Sequence, residues 1–163
     1  MRKRPLVNAG IFIGLGLGGF FDGIVLHQIL QWHHMVTVPY PATTLENLEL
    51  NTLLDGFFHA ATYIFTTIGL ILLWRVIHKR DVVLSGRVLF GAALMGWGIF
   101  NLVEGLIDHH ILQLHHVRSG ENELFWDLAF LVWGAVMLVA GGVLARRVPV
   151  DEQPNRITQR RSP

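Results

Sequence analysis

Cysteine is absent from the 163 residues, which excludes a disulfide framework, a Cys-ligated zinc finger and an iron–sulfur cluster. Charge is scarce too. Asp, Glu, Lys and Arg make up 15% of the chain, against roughly 25% in soluble domains. With a mean hydropathy of +0.44, this excludes a disordered protein and argues against a soluble one. The net charge is +1 with histidine neutral, so there is no basic footprint and no nucleic-acid partner is expected. Met35 and Met137 are too few for a methionine relay.

What the chain has in quantity is long apolar runs, glycine and histidine. Four stretches, near Leu6–Leu30, Leu53–Trp74, Val88–Leu112 and Leu124–Ala145, have the length a helix needs to cross a hydrocarbon core of roughly 30 Å. Apolar all round, they read as membrane spans. Between them lie a long loop, Met35–Asn51, with Pro39 and Pro41, a basic turn at His78-Lys79-Arg80, and the polar run Arg118–Glu123. Residues 149–163 read as a disordered cytoplasmic tail.

Twelve of the thirteen Lys and Arg residues fall before the first span, between the second and third, or after the fourth; Arg118 is the exception. The positive-inside rule then places both termini in the cytoplasm of a multi-pass inner or plasma membrane protein. The first span is too long for a signal peptide, lacks an Ala-x-Ala exit and carries Asp22 and His27, so it reads as an uncleaved helix. Gly10, Gly14 and Gly18 have the small-xxx-small spacing of close helix packing.

The chain is doubled. Phe20–His34 reads FFDGIVLHQILQWHH and Leu102–His116 reads LVEGLIDHHILQLHH, with seven of fifteen positions identical, three of them His. Asp22 is matched by Glu104, and Asp55 by Asp127. Two spans per unit make this a parallel repeat. The expected fold is an all-α integral membrane four-helix bundle of two parallel tandem two-helix repeats. Residues 1–148 form the membrane domain, with repeat one at about 6–76 and repeat two at about 88–148.

Ionisable residues inside a span are functional hypotheses by default. Eight of nine histidines fall in the outer layer: His27, His33, His34, His59, His109, His110, His115 and His116. Asp22, Asp55, Glu104, Asp108 and Asp127 share it. At about 100° per residue, Asp22 and His33 share one face of the first helix, while His27 and His34 share another. Glu104, Asp108 and His115 repeat the first stripe, and His109 and His116 the second. His59, His110 and Asp108 have no ionisable match in the other repeat, which centres the expected site near His59 and the third helix. Gln31, matched by Gln113, reads as an interhelical hydrogen bond.

Imidazole and carboxylate donors converging in a bundle core are how such proteins commonly build metal sites. The expected ligands are the eight histidines and Asp55, with Asp22, Glu104 and Asp108 as proton relays. Copper is the first expectation, with zinc and iron compatible. The adjacent His pairs suit two ions better than one. The leading reading is a redox enzyme acting on dioxygen, superoxide or a small lipid-phase substrate. One alternative is a copper or zinc carrier serving oxidase assembly. Another is a b-type cytochrome with His27 and His109 as axial pair.

The stretches Phe20–Gly23, Gln31–His34, Asp55–His59 and Asp108–His116 resemble those of a family of small bacterial and archaeal membrane proteins, domain of unknown function 2243. The resemblance covers residues from about 8 to 147. It implies a four-helix membrane protein. For some members it implies a link to oxidase-assembly genes, hence copper and a respiratory oxidase or its assembly factors as partners.

Overall fold

The computed structural model describes residues 2–146, so the expected tail at 149–163 lies outside the described residues. Four helical rods make up the fold, and each is long and apolar enough to cross a membrane. α1 (Arg4–Phe21) continues as a π-helical segment, Asp22–Ile29, and α3 (Gly86–Glu104) continues as a second, Gly105–Ile111. α2 spans Leu45–Ile77 and α4 spans Glu123–Arg146.

α2 begins eight residues before the apolar run that announced it (53 − 45). Thr44 caps it, its hydroxyl accepting from Asn47 N at 3.2 Å. At 33 residues the helix is about 50 Å long, more than a hydrocarbon core requires. Its polar first turns, with Glu46, Asn47 and Glu49, therefore extend past the apolar run into the stretch that hydropathy alone assigns to the loop.

α1 and α3 form the central pair, with α2 packed on α1 and α4 packed on α3. Glycine sets both kinds of interface. Gly10, Gly14 and Gly18 all face α3, meeting Ala92, Ala93 and Trp97. Gly16 and Gly19, on another side of α1, receive Thr66 and Thr62 of α2. The contacts reciprocate across the duplication: Gly14 abuts the backbone of Ala93, and Gly96, its counterpart, abuts Ile11, the counterpart of Ala93. The two hairpins thus meet about a pseudo-twofold axis, and backbone lies against backbone.

The distribution of polarity is inverted relative to a water-soluble protein. Buried polar side chains include Asp22, His27, Asn51, Asp55, Asn101, Glu104 and Asp127, whereas Phe57, Tyr63, Trp74, Val132 and Val139 are exposed. Outward apolar and inward polar groups are what a lipid solvent selects. At one end of the bundle a small apolar core of Leu6, Val76, Val82 and Val88 underlies the basic loops. Lys3 Nζ there donates to the Arg146 carbonyl at 2.9 Å. Of the nine histidines, His78 alone lies at this basic end, and the opposite end carries the other eight. Its single described basic residue, Arg118, sits over the Trp32 and Trp126 rings at 5.4 and 5.8 Å.

Candidate metal centre

The two π segments are what assemble the site. Asp22 and His27 are five residues apart, as are Glu104 and His109. On an α-helix that spacing leaves side chains about 140° apart, which is why α-helical arithmetic assigned Asp22 and His27 to different faces. With i→i−5 bonding the wider turn stacks them instead. Asp22 Oδ2 lies 3.0 Å from His27 Nε2, and Glu104 Oε1 lies 3.0 Å from His109 Nε2.

Each π segment closes with Leu30 N donating to Val25 O at 2.8 Å, or Leu112 N to Ile107 O at 2.7 Å. The next residue turns left-handed: φ is 50° at Gln31 and 49° at Gln113. Both glutamines are exposed, so the interhelical hydrogen bond expected of them gives way to a helix-ending turn. His33, His34, His115 and His116 accordingly lie beyond the helix ends, not on helix faces. The reversal folds His33 and His115 back over the bundle end, and their rings stack at 4.5 Å with 5° between planes.

Three of the four nitrogens facing away from the centre are anchored. His27 Nδ1 donates to Asp55 Oδ1 at 2.9 Å. His33 Nδ1 donates to the Val117 carbonyl at 2.8 Å, and His115 Nδ1 to the Met35 carbonyl at 3.1 Å. Met35 and Val117 are repeat-related, so each hairpin supplies the carbonyl that orients the other's histidine. His109 Nδ1 lies 3.4 Å from Asp127 Oδ1, too poorly aligned to hydrogen-bond. Carboxylates and carbonyls only accept, so the anchored Nδ1 atoms carry the hydrogens. That leaves the Nε2 atoms of His27 and His33 directed inward.

An outer layer fixes these supports. His34 Nδ1 donates to Asp55 Oδ2 at 2.7 Å, and His116 Nδ1 to Asp127 Oδ2 at 2.7 Å. Gln28 Nε2 and Met35 N also donate to Asp55, and Val117 N donates to Asp127. Asn51, buried one turn before Asp55, ties the connecting segment down: it accepts from Val36 N and donates to the Tyr40 carbonyl.

The enclosed chamber holds Asp22, His27, His33, Glu104, His109 and His115, all between 0 and 6% exposed. One ligand atom from each of His27, His33 and His115 lies within 4.8 Å of the others, and the same holds for Glu104, His109 and His115. Within it, both Asp22 oxygens, Glu104 Oε2 and the Nε2 atoms of His27, His33 and His109 are buried without a hydrogen-bond partner. Only His115 Nε2 makes such a bond, to Glu104 Oε1 at 2.9 Å. Burial pushes the His33 imidazole below its ordinary pKa. Burial opposes charge on His115 as well, but its hydrogen bond to Glu104 prevails and holds that group above its ordinary value.

The remaining site residues stand apart. His59 joins neither ligand group. It packs against Gly23 and stacks on Phe20 at 6.5 Å, with Nε2 buried and unpartnered. His110 Nε2 is likewise unpartnered, and Gln28 occupies its place in the first repeat. Asp108, half-buried, lines an apolar cleft of about 250 Å³ with Leu15, Phe58, Phe100 and Glu104. On the other flank Leu26, the counterpart of Asp108, lines a cleft of about 300 Å³ with Phe21, Trp97 and Phe130.

No curated protein and no solved structure matches this chain. The family described as "Predicted membrane protein (DUF2243)" matches it over residues 9–148, a stretch that contains all four spans' apolar cores, both π segments and every residue of the chamber. The chain belongs to this family of membrane proteins.

Proposed function

We propose that the chamber is a membrane-embedded metal centre for two transition-metal ions, one per repeat. Asp22, His27 and His33 would form one ligand set and Glu104, His109 and His115 the other, with His115 near enough to share. The observation that carries this reading is the set of buried, unpartnered imidazole and carboxylate atoms converging on one space while the opposite nitrogens of His27, His33 and His115 are held by acceptors. Leaving such atoms unpaired costs about 1–3 kcal/mol each, more for charged groups. Tethering the far nitrogen of a ligating histidine is the usual way to orient it. A purely polar network would use Asp22 and His27, 3.0 Å apart, as a hydrogen-bonded pair; they are not aligned as one.

Copper is the ion we favour, since divalent copper heads the affinity order for nitrogen and oxygen donors; zinc and iron also suit the set. Bound copper would supply a one-electron couple and a Lewis acid. The chain's own part is to hold the ligands rigid, exclude water and hold a proton on Asp108, which stands beside the centre and outside both ligand sets. The expected relay role of Asp22 and Glu104 gives way to ligation, which needs them deprotonated. Glu104 belongs to the chamber and also lines the apolar cleft that Asp108 shares, a route for a small apolar substrate. This supports a redox role on dioxygen, superoxide or another small lipid-phase substrate. Closed burial of the ligands favours a resident ion over one handed on to an oxidase. A haem between His27 and His109 draws no support, because the stacked His33 and His115 rings lie between them, 4.5 and 4.8 Å from their respective neighbours. The basic loops would face the cytoplasm and the centre the periplasm or exterior.

The copper-loaded protein is expected to show a Cu(II) EPR signal with nitrogen hyperfine structure, bleached by dithionite and restored by air. A protein that binds zinc alone sinks the redox role. Asp55→Asn should weaken the metal site roughly 10–100-fold, the usual cost of losing a ligand's supporting carboxylate, as read by competition with a chelator. Unchanged affinity would remove Asp55 from the account.

A further inference from the structure

At the opposite end of the molecule a cavity of about 380 Å³ opens between the start of α1 and the end of α2. Arg2, Arg4, Arg75 and Lys79 line it together with Asn8, over an apolar floor that includes Leu72. Among the described residues, the one carboxylate within 4.0 Å of any of these cations is Asp81, 3.8 Å from Arg2. Arg4 opens its span and Arg75 lies in the last turn of its own, so the cations stand at headgroup depth. No side chain caps α1, and its N-terminus adds partial positive charge. The second repeat does not duplicate the arrangement, since Gly86 stands where the first has Arg4. The general excess of basic residues that sets orientation does not require four of them around one cavity.

We infer that this cavity binds the phosphodiester headgroup of an anionic phospholipid, with its acyl chains running down the apolar floor between α1 and α2. Juxtamembrane cations recruit such lipids, and basic pockets between spans bind their headgroups. The inference is independent of the metal centre. The probes are phosphatidylglycerol, phosphatidylcholine and inorganic phosphate, added to the full-length protein in an uncharged detergent and read by native mass spectrometry and thermal unfolding. Phosphatidylglycerol is expected to stay bound and raise the midpoint by on the order of 5 °C, while phosphatidylcholine does neither. Each cation neutralised, as in R4Q or K79Q, should weaken binding about fivefold, and R4Q/R75Q/K79Q should abolish it; R118Q, at the far end, should not. Equal retention of phosphatidylcholine, or undiminished binding by both single variants, overturns the site. An equal shift with inorganic phosphate overturns the lipid and leaves a small-anion site.

Discussion

His115→Ala is expected to empty the metal centre, whereas His59→Ala leaves it filled. His115 is common to both ligand groups, stacks on His33 and bonds to Glu104, so its loss disturbs the binding of both proposed ions. The decrease in affinity should exceed the roughly 10–100-fold that follows from losing a supporting partner. Variants confined to one group should behave differently: His27→Ala and His109→Ala should each remove about one equivalent. The contrast with His59 gives the prediction its edge, because residue type and depth alone made His59 as good a ligand as any. Metal-to-protein ratios on helical, monodisperse variants decide the matter. A His115→Ala protein with full metal, or a His59→Ala protein with none, contradicts the assignment.

The second large effect lies in the glycine seam. A side chain at Gly14 would run into the backbone of Ala93, and one at Gly96 into the backbone of Ile11. Neither neighbour is a flexible side-chain tip, so α1 and α3 must separate. Overpacking typically costs 1–3 kcal/mol, occasionally more. Gly14→Leu or Gly96→Leu should therefore lower the unfolding midpoint by roughly 10 °C. Metal should be lost as well, because the π segments that carry the ligands extend from these two helices. Gly142→Ala, with nothing within 4 Å of the added atom, should be neutral or slightly stabilising. Fluorescence-detected melting in detergent measures all three, and a Gly14→Leu protein as stable as the parent would refute the close seam.

Much of this molecule was legible in the sequence. The four spans, the doubled hairpin and the layer of histidines come from hydropathy and self-similarity, which need no knowledge of contacts. The small-xxx-small glycines foretold a close helix seam because close approach requires the missing Cβ, although not that α3 is the partner. The wiring of the site was hidden for three physical reasons. A π turn has no strong residue signature, so Asp22 and His27 were placed on different faces; the spacing of five, repeated at Glu104 and His109, was the available clue. The left-handed turn at Gln31 and Gln113 uses a residue with no preference for positive φ, and it moves four histidines off the helices. The anchors of His33 and His115 are backbone carbonyls, at Val117 and Met35, which no side-chain pattern can reveal. Asn51, read as loop, became part of α2 because the helix outruns its apolar stretch.

The central claim is that two ions sit in the chamber, one per repeat. Elemental analysis of the detergent-purified protein, with an absorption spectrum on the same sample, tests it most directly. Two equivalents of copper, or of zinc or iron in its place, are expected per chain. A protein that is metal-free as purified and takes up neither copper nor zinc contradicts the claim, and would make Asp22, Glu104 and the four histidines a structural or proton-conducting network.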